Sequence, residues 1–494
     1  MNGRAVVVAI CSAVAAVAAL GVGSAQAQAL TECRVPGMRN SVQCGMVKRA
    51  LDPARPDGPQ IDVHYVVVPA MARRKLPDPV FLLAGGPGQS AIDVGPQAFG
   101  LFGRLNNRRD IVFVDQRGTG QSAPLECVDA KRESLAEQAG IEQQLKQLAE
   151  CKAALLKLPY VRAESDLGFF TTTLAMQDLD AVRAQLGAER INLVGISYGT
   201  RAALEYMRLF PTHVRRSVLD SVAPPDMVLP ASFSTDSQAA LDAMLAACEQ
   251  QPACKTTYPK LREDWAALLA SLPRSVSAAQ ALTGRSERFT LTRQMVLGAV
   301  RGALYSTATA AALPAAITEA AAGRVEPLVG VGALLSSRKG IQLAMGMHFS
   351  VVCAEDVPRL EQAGDAPGAD FRNDYATLYQ RACSQWPRGA VPADFYTVPA
   401  SRAPTLLFSG GIDPATPPRH GARVAAALGP TAQHVVVPQA GHSVLGVGCA
   451  RDLLYRFIDT ADDAAATALD AGCVKTIPRP GAFVPMDMAA GASK

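Results

Sequence analysis

Several whole classes of protein are excluded by what this chain lacks. Its 494 residues hold only six histidines, and no Cys-x-x-Cys or His-x-x-x-His spacing occurs, so the usual zinc-binding patterns are missing. Neither a metal nor another cofactor is expected. Charge is sparse and balanced, with 48 basic against 44 acidic residues and a net +4 spread along the chain, which gives a nucleic-acid partner no basic stripe to bind. Beyond the first residues no apolar run is long and uncharged enough to span a bilayer. There are no internal repeats.

What is present describes a large globular protein. Hydrophobic residues make up 49% and charged residues 19%, enough to build a sizeable core, and the length suits two or three domain-sized units. The start reads as a secretory signal. A basic Met1-Asn2-Gly3-Arg4 precedes residues 5–22, almost all Ala, Val, Leu, Ile or Gly, and Ala25-Gln26-Ala27 and Ala27-Gln28-Ala29 offer small-residue cleavage sites. The expectation is a signal peptide over 1–27, a periplasmic or secreted protein, and no stable membrane association after cleavage; a retained membrane anchor is the alternative. Apart from Cys11, inside the apolar run, ten cysteines remain, an even number consistent with disulfides in an oxidising compartment. They fall into neighbours along the chain, giving the expected pairs 33–44, 127–151, 248–254, 353–383 and 449–473.

The most informative segment is Gly195-Ile196-Ser197-Tyr198-Gly199. It follows the apolar run Ile191-Asn192-Leu193-Val194 and precedes the helix-compatible Thr200-Arg201-Ala202-Ala203-Leu204-Glu205-Tyr206. A strand running through Gly-x-Ser-x-Gly into a helix is the sequence form of a nucleophile elbow, in which the serine sits at the tip of a strained turn.

A serine hydroxyl needs a base to take its proton and an acid to orient that base. Downstream, the predicted strand Thr405-Leu406-Leu407-Phe408 leads to Asp413, and His434-Val435-Val436-Val437 leads to Gly441-His442. The order Ser, Asp, His, with each residue just past a strand, is that of a hydrolase triad. Asp220, which closes the strand around Val218-Leu219, is the rival for the acid. Asp413 is preferred because it leads into the histidine segment.

Another predicted strand, Val80-Phe81-Leu82-Leu83, ends in Gly85-Gly86-Pro87-Gly88-Gln89-Ser90. An oxyanion needs two backbone N–H donors, one after the nucleophile and one from an early loop, which points to Tyr198 and Gly86; Pro87 has no N–H. A plain flexible turn is the other reading. The Asp115-Gln116-Arg117 segment is expected to buttress this loop through a local ion pair and turn.

Gly85-Gly86-Pro87-Gly88, Asp115-Gln116-Arg117-Gly118-Thr119-Gly120-Gln121-Ser122 and the Ser197 elbow together resemble the α/β-hydrolase serine peptidases of the prolyl iminopeptidase type. Length, the segment Ser350-Val351-Val352-Cys353-Ala354-Glu355-Asp356-Val357-Pro358 and the later cysteines are more similar to secreted bacterial tripeptidyl aminopeptidases. Ala84 departs from that pattern, where many relatives carry His. The resemblance implies an α/β-hydrolase fold, a mostly parallel sheet flanked by helices. Strand and helix patterns alternate over the core segments 28–225 and 401–494, and residues 226–400 read as a mainly helical lid with few strand signals.

An aminopeptidase must hold a free ammonium, and the resemblance implies Glu355 and Asp356 for that role. Helix capping or pairing with a lid arginine is the competing role for both. The expected function is therefore a secreted serine hydrolase releasing an N-terminal residue or tripeptide from a peptide substrate. An esterase, lactonase or amidase acting on small molecules is the alternative, and a binding protein on a hydrolase scaffold is a third, weaker reading. Oligomeric state is not legible.

Overall fold

A computed structural model describes residues 30–127, 135, 140–280, 283–336 and 342–485. The expected signal peptide, with Cys11, lies outside the described residues. Eleven strands are described: β1 (Thr31–Cys33), β2 (Val42–Ala50), β3 (Gln60–Val68), β4 (Val80–Leu83), β5 (Ile111–Val114), β6 (Ile191–Ile196), β7 (Val214–Asp220), β8 (Arg274–Ala279), β9 (Ser286–Leu291), β10 (Thr405–Gly410) and β11 (Ala432–Val437). Nine of them form one sheet in the order β1-β2-β3-β5-β4-β6-β7-β10-β11. The first pairings, β1–β2, β2–β3 and β3–β5, are antiparallel, and from β5 to β11 every pairing is parallel.

Parallel strands are covered on both faces and therefore read as unbroken apolar runs. Val80-Phe81-Leu82-Leu83 and Ile111-Val112-Phe113-Val114 are buried at every position. Alternate residues serve opposite cores. Phe81, Leu83, Val112 and Val114 pack with Met176, Leu179 and Tyr206, while Val80, Leu82, Ile111 and Phe113 pack with Phe102, Leu453 and Phe457. The crossover helices Ala91–Phe102, Tyr198–Leu209 and Pro418–Leu428 join successive parallel strands.

β7 and β10 are neighbours, Thr405 facing Ser217, although the chain between them runs from Asp220 to Thr405. That intervening chain forms a mainly helical insertion; its earlier helices have their own apolar core, which includes Leu241, Leu268, Val296 and Ile317, while Met347, Val351, Cys383 and Trp386 pack into the main core. The insertion leaves the sheet after β7, at the edge where β6 ends and Ser197 begins, and returns to the opposite edge at the start of β10; this is the segment expected as a lid. Among the described residues the expected mainly helical segment also holds an antiparallel hairpin, β8–β9. Its strands are short and mostly exposed, so they lack the apolar run that makes a buried strand visible in sequence.

The disulfides are Cys33–Cys44, Cys127–Cys151, Cys248–Cys254, Cys353–Cys383 and Cys449–Cys473, the pairing of sequence neighbours that was expected. Among the described residues no helix is long and apolar enough to cross a membrane.

Candidate active site

β6 delivers Ser197 to the mouth of the sheet, and the helix Tyr198–Leu209 starts at the next residue. Ser197 has φ 58° and ψ −125°, a conformation that costs a non-glycine residue about 1–3 kcal/mol. The flanking glycines are sterically required. A Cβ on Gly195 would strike the carbonyl oxygen of Gly199, and one on Gly199 would strike that of Leu83. The elbow is thus squeezed between the helix and β4, which holds the serine outward.

Asp413 and His442 meet beyond the ends of β10 and β11, with Asp413 Oδ2 2.8 Å from His442 Nδ1. Asp413 also accepts from Ala415 N (2.8 Å), Thr416 N (2.9 Å) and Thr416 Oγ1 (2.9 Å). Burial alone would raise its pKa, but His442 and these N–H donors hold it down to about 2. Asp413 is therefore a fixed anion, suited to orienting the imidazole through Nδ1 and leaving Nε2 as the working nitrogen.

Asp220, the rival acid, takes a different position. Its main-chain carbonyl accepts Ser197 N at 2.9 Å. Its carboxylate accepts Val444 N (2.9 Å), Leu445 N (3.0 Å) and Ser443 Oγ (3.3 Å), and the neighbouring Ser221 Oγ accepts Ser443 N at 2.7 Å. One buried residue thus ties the nucleophile strand to the loop that carries His442. It orients the loop and does not contact the imidazole through a hydrogen bond.

The early glycine loop lies against the elbow. A Cβ on Gly85 would sit 3.2 Å from Ser197 Cβ, and Gly86 adopts φ +112°, which a side chain would resist. Among the described residues neither the Gly86 nor the Tyr198 N–H donates to another protein group. Asp115 supports this loop as expected, accepting Ser90 Oγ (2.7 Å), Ile92 N (3.0 Å) and Gln121 N (3.1 Å), with burial lifting its pKa to about 6. The expected local ion pair is corrected. Arg117 turns instead to Asp178, at 2.7 and 2.9 Å, and donates to the carbonyls of Leu51 and Phe169. His348 adds a support that was not foreseen, its Nδ1 lying 3.1 Å from Pro87 O and its Nε2 2.7 Å from the Tyr379 hydroxyl.

Glu355 and Asp356 are both buried behind the elbow. Asp356 forms a two-pronged pair with Arg201 (3.0 and 3.1 Å) and accepts Leu229 N at 3.1 Å. Glu355 accepts Thr172 N (2.8 Å) and Thr172 Oγ1 (2.9 Å), with Arg201 at 3.7 Å. The Tyr198 hydroxyl joins the cluster 2.6 Å from Thr172 Oγ1. The pairing role weighed from sequence is present, but its cation is Arg201 of the core helix and not a lid arginine. Two carboxylates share one guanidinium, and burial, opposed by Arg201 and Thr172, lifts Glu355 to a pKa of about 7.

Tyr305, at the end of the lid helix Arg293–Leu304, was invisible in sequence. Its carbonyl accepts His442 N at 2.8 Å and its ring meets the imidazole edge-on at 4.8 Å. A separate cavity of about 310 Å³, lined by Met244, Cys248, Pro314, Gln439 and Arg479 among others, holds none of the residues expected in the site.

The family model described as the alpha/beta hydrolase fold matches residues 78–448, which include the glycine loop, elbow, acid and histidine. The chain belongs to the α/β-hydrolase fold family. A tripeptidyl aminopeptidase of Streptomyces lividans is 32% identical over 192 residues, 37% of this chain and 36% of that protein. The serine protease Hip1 of Mycobacterium bovis is 29% identical over 205 residues, 40% of this chain and 38% of that protein. The match thus spans little more than a third of either curated relative. Among solved structures, a serine hydrolase from Cycloclasticus zankles is 12% identical with a TM-score of 0.37, covering 84% of this chain and 98% of that one.

Proposed function

We propose that this α/β-hydrolase is a secreted serine aminopeptidase working through an acyl-enzyme, with Ser197 as nucleophile, His442 as base and Asp413 as its orienting acid. The observation that carries the reading is the His442–Asp413 contact at 2.8 Å, on a loop that Asp220 ties to the strand end bearing the Ser197 elbow. With Nδ1 committed to Asp413, His442 Nε2 takes the Ser197 proton as Oγ attacks the substrate carbonyl carbon. The Gly86 and Tyr198 N–H groups receive the oxyanion. His442 then protonates the leaving amine, and water, activated by the same nitrogen, hydrolyses the acyl-enzyme.

Preference for a free amine rests on two carboxylates, Glu355 and Asp356, sharing the single guanidinium of Arg201. Burial lifts Glu355 to a pKa of about 7, and a nearby ammonium would favour its charged form. The name of the Streptomyces lividans relative supports the same choice. Export is supported by the five disulfides and the signal-like start. One observation favours an esterase or amidase of small molecules instead: Asp356 has both oxygens occupied, and Glu355 is nearly inaccessible at 1% exposure.

The deciding assay compares free and N-acetylated prolyl, alanyl and tripeptidyl chromogenic amides with a short-chain p-nitrophenyl ester. Cleavage confined to free-amine amides is expected, and it should vanish in Ser197→Ala. Ester turnover without amide cleavage would replace the aminopeptidase by the small-molecule hydrolase.

A further inference from the structure

Among the described residues Arg301 is a cation with no anion to pair with. It lies on the helix Arg293–Leu304, partly buried, and among the described residues it makes no salt bridge. Its guanidinium carbon is 4.3 Å from the Phe233 ring centre, 5.2 Å from that of Tyr305 and 5.7 Å from that of Tyr375. The one hydrogen bond it makes among the described residues runs from Nη2 to the Tyr305 hydroxyl at 2.9 Å, and its buried Nε has no acceptor. A guanidinium carries five N–H donors in a planar fork, so most of this fork is unspent.

Its surroundings connect it to the histidine through one shared ring. The Tyr305 ring that touches Arg301 also meets the His442 imidazole at 4.8 Å. Tyr379, close enough to feel the Arg301 charge, lies with its neutral hydroxyl 2.7 Å from His348 Nε2, and His348 in turn reaches Pro87 O of the glycine loop. The cation therefore stands in an aromatic wall that runs from the histidine side of the site to the oxyanion side. Aromatic faces stabilise a guanidinium but leave its in-plane donors free, and those donors match a carboxylate held by two parallel bonds.

We infer that Arg301 is a specificity residue that binds a carboxylate on the substrate, so that the enzyme prefers acyl or peptide substrates carrying an anionic group within reach of Ser197. The inference rests on the serine-hydrolase part of the reading above and is independent of whether amides or esters are the natural substrates. It sets Arg301 opposite in sign to the buried Glu355–Asp356 pair.

The test measures kcat/KM for p-nitrophenyl hemi-esters of succinic, glutaric and adipic acids against neutral p-nitrophenyl esters of matched chain length, with spontaneous hydrolysis subtracted. At least one acid should be preferred about 10-fold over its neutral partner, the size of one charge-assisted contact. That preference should shrink as sodium chloride is raised, collapse towards unity in Arg301→Gln, and be partly restored in Arg301→Lys. Wild-type enzyme that turns over neutral esters but shows no acid preference would overturn the proposal alone, whatever the variants do. So would a preference that survives in a folded Arg301→Gln. Failure to turn over any ester, with no labelling of Ser197 by a fluorophosphonate, would remove the serine-hydrolase reading and the proposal with it.

Discussion

The main-chain carbonyl of Tyr305 accepts the N–H of His442 at 2.8 Å, so the lid is fastened to the histidine loop itself. A Cβ on Gly441 would lie 2.6 Å from that same carbonyl oxygen, which explains the glycine that precedes the histidine. The lid is thereby part of what holds the imidazole. Tyr305→Ala keeps the carbonyl but removes the ring packed on His442, and should lower kcat about 10-fold through misplacement of the base. Tyr305→Phe should stay close to wild type. Equal kcat in the Ala variant would reduce the lid contact to a scaffold.

Asp413 and Asp220 should separate cleanly by substitution. Asp413→Asn removes the anion that fixes the imidazole tautomer and should cut kcat by about 10³-fold or more with little change in melting temperature. Asp220→Asn keeps one oxygen acceptor but sets its amide NH2 against the N–H of either Val444 or Leu445. It should cost about 1–3 kcal/mol of stability and reduce kcat far less. The reverse ranking in kcat would exchange their roles.

Glu355 gives a pH signature. Its folded pKa of about 7 lies above the ordinary 4.5, so between those values the folded protein binds more protons than the unfolded chain. The stability it contributes is complete below pH 4.5 and is lost as pH rises towards 7. Glu355→Gln should flatten the fall in melting temperature across that window. Some slope should remain, because burial also raises Asp115, from 3.8 to about 6, in the same direction. Parallel melting curves for wild type and Glu355→Gln would contradict the raised pKa.

The core of the site was legible because each of its parts is a local pattern. Ser197 follows a strand and precedes a helix, and Asp413 and His442 end strands whose apolar runs are buried. Tyr305 and Arg301 were not legible, since a helix end in the lid carries no mark of what it will touch once the chain returns through β10. Arg117 shows the same limit. Proximity in sequence suggested Asp115 as its partner, while the fold brought Asp178 from 61 residues away. The cluster around Arg201 was half legible: its acids stand in a conspicuous motif, but their cation sits on the elbow helix.

The five disulfides have a consequence for how the chain matures. Their cysteines are separated by 6 to 30 residues, and no bridge joins the two sheet-forming parts to each other or to the inserted helices. Each bond encloses a loop that exists as soon as a short length of polypeptide has emerged. Oxidation can therefore proceed in step with synthesis, from one end to the other, without waiting for distant thiols. The inserted segment carries two of the bridges, Cys248–Cys254 and Cys353–Cys383, each closed within it, so every other cysteine finds its partner in the sheet-forming parts.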